Sequence, residues 1–141
     1  MEILITDSKT ISEIQKEFNL QFPFLKLEFF DAPHKPNTAL PKSKMHARDK
    51  KLGAIRRLHK EGKLKIAIKD TVNEVESGLW KNFGLSAQIF RRSGNLWIET
   101  SLTDNWTLEQ QNREGYELSG SHKNLYKEAD EKDLTDRDKW E

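Results

Sequence analysis

Residues 63–100 read KLKIAIKDTVNEVESGLWKNFGLSAQIFRRSGNLWIET and carry the clearest structural pattern in the chain. Apolar and polar residues alternate over residues 64–68, which predicts a half-buried strand. Thr71 and Glu74 have the spacing of a capping box, and apolar residues follow at helical intervals. A second alternation, a turn at Ser93–Gly94 and a third alternation complete the stretch. We therefore predict a strand, a capped helix and a hairpin, in that order.

The N-terminal part of the chain repeats this order at a constant offset of 61 residues. Thr10 and Glu13 form a second predicted capping box, flanked by predicted strands at residues 3–5 and 25–29. The apolar stripes of the two helices correspond position by position: Ile11, Ile14, Phe18 and Phe22 match Val72, Val75, Leu79 and Phe83. Both halves therefore read as βαβ units, either an internal pseudo-repeat or two units made alike by shared physics.

Two βαβ units in series predict an α+β fold, specifically a ferredoxin-like sandwich with the element order β-α-β-[α]-β-α-β-β. The alternation LKLEF at residues 25–29 is typical of a strand with one face in water. The bracketed element is an inserted basic helix at residues 43–61, with an apolar stripe that includes Leu52 and Ile55. If this helix covers the second sheet face, the alternative is a three-layer α/β/α sandwich.

The length of 141 residues predicts one domain. We place that domain at residues 1–115, with Thr107 and Gln110 capping a short helix that ends at Gly115. Residues 116–141 are polar and mixed in charge, which predicts a disordered C-terminal tail.

Several classes of function have no support in the sequence. The absence of cysteine excludes a disulfide scaffold, a thiolate metal site and a cysteine nucleophile. No secretory signal and no membrane-spanning run is visible, so we expect a soluble, cytoplasmic protein without membrane contact. We expect no metal, because the four histidines are scattered, and no cofactor, because no glycine-rich phosphate loop is present. An enzyme built from Asp7, Asp70 and nearby histidines is the third of three hypotheses.

Charge is distributed very unevenly along the chain. Between Lys42 and Lys65 there are ten basic residues against two acidic ones, a local charge of +8. The whole chain carries +1, so the other residues sum to −7. Residues 127–141 contain seven acidic residues against four basic ones. This arrangement is typical of a nucleic-acid-binding face with an acidic competitor, or of two solvated segments of opposite charge.

The first functional hypothesis is a non-enzymatic binding module that contacts an acidic partner, nucleic acid before protein, through the basic 42–65 segment. Binding would then weaken steeply with salt. The cations expected to make these contacts are Lys44, Arg48, Lys50, Lys51, Arg56, Arg57, Lys60, Lys65, Lys69, Arg91 and Arg92.

The second hypothesis concerns an aromatic face formed by Phe30, Phe90 and Trp97. Strand parity places these rings on the sheet face opposite the two capped helices. Aromatic rings among basic residues are typical of single-stranded nucleic-acid platforms. Alternatively the rings form a protein-interaction or homodimer interface, or lie beneath the inserted helix as part of the core.

The run GLSAQIFRRSGNLWIETSLTDNWTLEQQN, residues 84–112, resembles a stretch of short uncharacterised bacterial proteins. This resemblance covers about a fifth of the chain. It contains no catalytic motif and implies no activity. It implies only a bacterial cytoplasmic protein.

Overall fold

Strands and capped helices follow one another in each half of the chain. The structure is a computed structural model and describes residues 1–120. The elements are β1 (Glu2–Ile5), α1 (Ile11–Gln21), β2 (Leu25–Phe29), α2 (Leu52–Ile55), β3 (Gly62–Lys65), α3 (Val72–Phe83), β4 (Ala87–Ser93), β5 (Leu96–Glu99) and α4 (Leu108–Gly120). This mixture confirms the predicted α+β class. Most of the predicted tail, residues 121–141, lies outside the described residues.

Both predicted capping boxes are present at the starts of α1 and α3. The Glu13 N–H donates to the Thr10 hydroxyl at 3.2 Å, and the Glu13 carboxylate accepts the Thr10 N–H at 3.1 Å. Thr71 and Glu74 repeat the pair of bonds at 3.1 and 2.9 Å. These bonds satisfy first-turn donors that a helix leaves open, so sequence and structure agree at both helix starts.

The two halves share further backbone hydrogen bonds with donors or acceptors 61 residues apart. In each half a turn supplies two carbonyls to the first turn of the capped helix, and the chain then begins the next helix. In the first half, the N–H groups of Ile11 and Ser12 donate to the carbonyls of Lys50 and Arg48, and those of Leu52 and Gly53 donate to the carbonyls of Lys9 and Asp7. In the second half, the N–H groups of Val72 and Asn73 donate to the carbonyls of Trp106 and Asp104, and those of Leu108 and Glu109 donate to the carbonyls of Asp70 and Ile68. The resemblance between the halves therefore extends beyond the predicted βαβ units.

The strands pair differently from the single sheet of a ferredoxin-like sandwich. β1 pairs antiparallel with β3, while β2, β4 and β5 form a separate antiparallel sheet in that order. Each half thus contributes its first strand to one sheet and its second strand to the other, because α1 and α3 each carry the chain between sheets. The predicted hairpin is present, but its two-residue turn is Gly94–Asn95, because Ser93 still belongs to β4 and pairs with Leu96. Gly94 adopts a φ of 59°, which glycine tolerates without strain.

The hydrophobic core lies between the capped helices and the two sheets. Its residues come from the stripes of α1 and α3 and from one face of β1, β2 and β4; they include Ile3, Ile5, Ile14, Phe18, Leu25, Leu27, Phe29, Leu79 and Ile89, all fully buried. The wet face predicted for β2 is wrong, because Lys26 and Glu28 on its other face are also buried.

The predicted inserted helix at residues 43–61 is wrong. Only a 3₁₀ turn at Lys42–Lys44 and the single turn of α2 are helical. The reason is that the backbone between them bonds to other elements: Met45 bridges to Phe30, and Lys51 bridges to Thr10. These tertiary bonds use the groups that a helix would need.

The C-terminal helix begins as predicted and ends later. The Gln110 N–H donates to the Thr107 hydroxyl at 3.1 Å, and the Gln110 side chain accepts the Thr107 N–H at 2.9 Å. Gly115, the predicted end, instead lies buried inside α4, which continues through Gly120. The Tyr116 ring meets the Phe24 ring edge-on at 5.5 Å. Residues 116–120 therefore belong to a helix rather than to the tail.

Candidate functional site

The three rings of the predicted aromatic face line one cavity of about 240 Å³ on the outer face of the β2-β4-β5 sheet. Phe30 is buried, whereas Phe90 and Trp97 are half-buried. Leu40 and Met45, from the chain that follows β2, form the opposite wall. The rings thus surround a cavity with a partial cover.

Hydrogen bonds hold this cover in place. The Gln88 side chain donates to the Thr38 carbonyl at 2.6 Å and accepts the Leu40 N–H at 3.1 Å. Further along, the Asp31 N–H donates to the Lys44 carbonyl at 2.8 Å. The inserted segment, which we define as residues 30–61 between β2 and β3, therefore covers part of the outer face of the β2-β4-β5 sheet, but as a loop. The three-layer sandwich with a covering helix is not what the structure shows.

Lys26 brings a buried positive charge to the cavity. Its ammonium lies 5.3 Å from the Trp97 ring centroid and 5.9 Å from that of Phe90, within cation–π range. The same ammonium pairs with the Glu28 carboxylate at 3.0 Å. The Glu28 carboxylate and the two rings therefore hold the Lys26 ammonium beside the cavity.

A polar network connects this buried pair to the inserted segment. The Gln15 amide donates to the Glu28 carboxylate at 2.8 Å, and the Arg48 guanidinium donates to the Gln15 oxygen at 2.8 Å. Because Gln15, Lys26 and Glu28 are all buried, the network fixes the loop relative to the sheet. Neither Gln15 nor Glu28 was among the residues predicted from the sequence. Alternation assigns Glu28 to the solvated face of its strand, whereas Gln15 lies four residues after Ile11, next to the apolar stripe of α1.

Four lysines of the inserted segment are exposed along the chain that runs from the cavity to the start of α1. We call Lys42, Lys44, Lys50 and Lys51 the basic strip. Lys42 also lines the cavity. The backbone beneath is fixed by the bonds that the Arg48 and Lys50 carbonyls accept from the first turn of α1. The strip is therefore a row of exposed cations on a backbone that hydrogen bonds fix in place.

The other predicted cations do not join the strip. Lys60 and Lys65 line an open groove of about 540 Å³ that also holds acidic residues, including Asp70 and Glu74. Lys69 pairs with Glu109 at 2.7 Å. The Arg91 guanidinium donates to the Gln111 side-chain oxygen at 2.9 Å, and its central carbon lies 5.8 Å from the Trp106 ring centroid.

Three predicted arginines differ sharply in exposure. Arg57 is exposed, but Arg56 and Arg92 are buried, at 6% and 2% exposure. The Arg92 guanidinium donates to the Gly94 carbonyl at 2.8 Å and lies 5.7 Å from the Trp97 ring centroid. Arg56 pairs with Asp7. Arg56 and Arg92 are thus part of the packed interior and not of an exposed contact surface.

The two aspartates of the enzyme hypothesis do not form a pair. Asp7 accepts from Arg56 at 2.7 Å and contacts the His59 imidazole nitrogen Nδ1 at 2.9 Å. The Arg56 hydrogen bond, aided by His59, lowers the pKa of the Asp7 carboxyl below its usual value. Asp70 instead accepts the Ala67 N–H at 2.8 Å in its own turn. The convergence that this hypothesis needs is absent between these two groups.

A buried acid that sequence analysis missed lies in α3. Glu76 is 4% exposed, and its carboxylate accepts the Ile89 N–H at 2.9 Å. Burial raises the pKa of Glu76 to about 8, with a further contribution from the charges of Asp104 and Glu99. Its position four residues after Val72, next to the apolar stripe, was the one available signal.

Comparison with known proteins gives no relative: no family model, no curated protein and no solved structure matches this sequence. Within residues 1–120, no cluster of three histidine or acidic side chains is arranged to hold a metal ion. Helices in the same region all fall short of the length and apolarity needed to cross a membrane.

Proposed function

We propose that this protein is a small, non-enzymatic binding module that contacts an acidic partner, nucleic acid before protein, through the basic strip. The observation that carries the proposal is the exposure of four lysines on one backbone segment that is hydrogen-bonded to α1 and β2. A nucleic-acid backbone carries phosphates at regular spacing, and lysines that neutralise them release counterions.

The distribution of charge supports this use of the strip. The remainder of the chain outside residues 42–65 is acidic, so repulsion elsewhere directs a polyanion to this side. Ordering a lysine on binding costs side-chain entropy, but the backbone under the strip is already fixed and adds little to that cost. Affinity then comes mainly from the release of counterions.

The test compares two triple charge reversals of equal size. The first changes Lys44, Lys50 and Lys51 to Glu; the second changes Lys60, Lys63 and Lys65 to Glu in the mixed-charge groove. We expect the strip variant to bind a labelled single-stranded oligonucleotide at least about tenfold more weakly, because each phosphate contact contributes electrostatically. The groove variant should change much less. Equal losses in both variants, or no loss in the strip variant, contradict the proposal.

A second candidate function is self-association through β5. Among the described strands β5 pairs only with β4, and Leu96 on β5 is 62% exposed. An open strand edge beside an exposed apolar residue favours pairing with another strand. Sedimentation at increasing protein concentration tests this candidate, and a monomer throughout contradicts it.

We also propose that the two halves arose by duplication of one unit. The shared capping boxes and the matched hydrogen bonds support this idea, because the cross-segment bonds do not follow from βαβ geometry alone. On this view the basic strip lies in the N-terminal copy, which gained its lysines after the duplication.

A further inference from the structure

We infer that the cavity lined by Phe90 and Trp97 accepts one unstacked base of a single-stranded nucleic acid whose phosphates lie on the basic strip. This inference rests on the proposed function and names its substrate class: single strands, with one base held apart from its neighbours.

The size and walls of the cavity favour a single flat ring. Its volume of about 240 Å³ lies below the usual range for drug-sized ligands, which begins at about 300 Å³. Phe90 and Trp97 offer aromatic surface from adjacent strands, and Met45 and Leu40 offer apolar surface from the loop. Bases stack on such surfaces whatever their sequence, because every base has a π face.

The charges at the cavity favour a ligand that carries negative charge or hydrogen-bond acceptors. Lys26 lies within 6 Å of both ring centroids, and Arg92 lies 5.7 Å from that of Trp97. Glu28 pairs with Lys26, and Glu99 also lines the cavity, so charges of both signs are present. The two cations lie against the aromatic surface. A nucleotide has a flat ring for the aromatic surface, and acceptor atoms and a phosphate for the cations, so it matches this environment.

The cavity and the basic strip are continuous. Lys42 is exposed and lines the cavity, and Lys44 follows two residues later on the same turn. A strand with one base in the cavity therefore has its adjoining phosphates beside the first lysines of the strip. A duplex cannot use this arrangement without unstacking and unpairing a base, which carries its own cost.

The experiment measures binding of three labelled ligands to the full-length protein: an oligothymidylate about twelve nucleotides long, an abasic strand of equal length and charge, and a duplex of the same length. We expect the oligothymidylate to bind on the order of tenfold to a hundredfold more tightly than the abasic strand. The duplex should bind more weakly than the oligothymidylate, because its bases are paired and stacked.

Two variants test the cavity itself. Trp97→Ala removes a stacking surface, and Ala39→Phe fills the cavity from the exposed loop while leaving the sheet intact. Both should abolish the preference for bases and leave binding of the abasic strand unchanged, with folding checked by circular dichroism. Ala39→Phe keeps the test valid if Trp97→Ala fails to fold.

Three outcomes overturn the inference, and they separate its failure from that of the proposed function. Equal binding of oligothymidylate and abasic strand, or an undiminished preference in Ala39→Phe, shows that the cavity holds no base, while the proposed function stands. Absence of binding to all three ligands removes the proposed function and this inference together.

Discussion

Arg56 and Asp7 form an ion pair in which the guanidinium is completely buried and the carboxylate is partly exposed. Arg56 donates from Nε and Nη2 to the same Asp7 oxygen at 3.0 and 2.7 Å. Its Nη1 donates to the carbonyls of Lys60 and Phe83 at 2.8 and 3.0 Å. One side chain therefore ties the end of β1, the inserted segment and the end of α3 together.

The adjacent arginines 56 and 57 provide a matched pair of variants. Arg56→Met leaves the buried Phe83 carbonyl and the partly buried Lys60 carbonyl without this donor, and Asp7 without its guanidinium partner. We therefore expect a loss of roughly 2–4 kcal/mol in the free energy of unfolding. Arg57 is exposed, and Arg57→Met should change that free energy by less than about 0.5 kcal/mol. Urea unfolding of both variants decides the matter, and similar stabilities for the two would contradict the structural role of Arg56.

Glu76 makes stability depend on pH in a predictable direction. Its pKa of about 8 in the folded protein exceeds the value of 4.5 expected when unfolded. The unfolded chain therefore releases its proton first, and the stability due to Glu76 is present below pH 4.5 and declines as pH rises through about 8. Glu76→Gln retains an acceptor for the Ile89 N–H and removes this decline.

The measurement compares urea unfolding of wild type and Glu76→Gln between pH 5 and pH 9. We expect similar stability near the acid end and an advantage of roughly 3–5 kcal/mol for the variant above pH 8. Because both proteins share every other titrating group, the difference isolates Glu76. A difference that does not vary with pH would show that Glu76 is ionised when folded.

Two helical glycines test whether close packing explains the course of α4. A Cβ on Gly115 would lie 2.9 Å from the Phe24 Cβ and 3.1 Å from the Phe24 carbonyl oxygen, so Gly115→Ala should cost about 1–3 kcal/mol. Gly78, inside α3, has no atom within 4 Å of the added carbon. Gly78→Ala should stabilise the protein by about 0.5–1 kcal/mol through helix propensity alone. Thermal unfolding measures both, and stabilisation by Gly115→Ala would contradict the close approach.

Local signals in the sequence predicted the local structure well. Thr10 with Glu13 and Thr71 with Glu74 specify helix starts through bonds within three residues, and Gly94 specifies a turn through its own backbone freedom. Such features need no knowledge of distant contacts. The same holds for the start of α4 at Thr107.

Features that depend on distant partners were not predictable in the same way. Residues 43–61 have a helical stripe, but no long helix forms there, because Met45 and Lys51 bond instead to Phe30 and Thr10, which are distant in sequence. Lys26 and Glu28 read as solvated, yet the inserted loop covers them. Arg56 and Arg57 cannot be told apart in the sequence, and it is Arg56 that has distant partners in Asp7 and the Phe83 carbonyl. The sequence therefore located the basic segment and the rings but not their joint cavity.

The most direct test of the proposed function is the salt dependence of binding to a single-stranded oligonucleotide. With the four lysines of the basic strip each contacting a phosphate, the logarithm of the association constant should fall against the logarithm of salt concentration with a slope of about −3. In the Lys44, Lys50 and Lys51 to Glu variant the slope should be shallower, with a magnitude of about 1 or less. Undetectable binding at low salt, or a slope that is unchanged in this variant, would contradict the account.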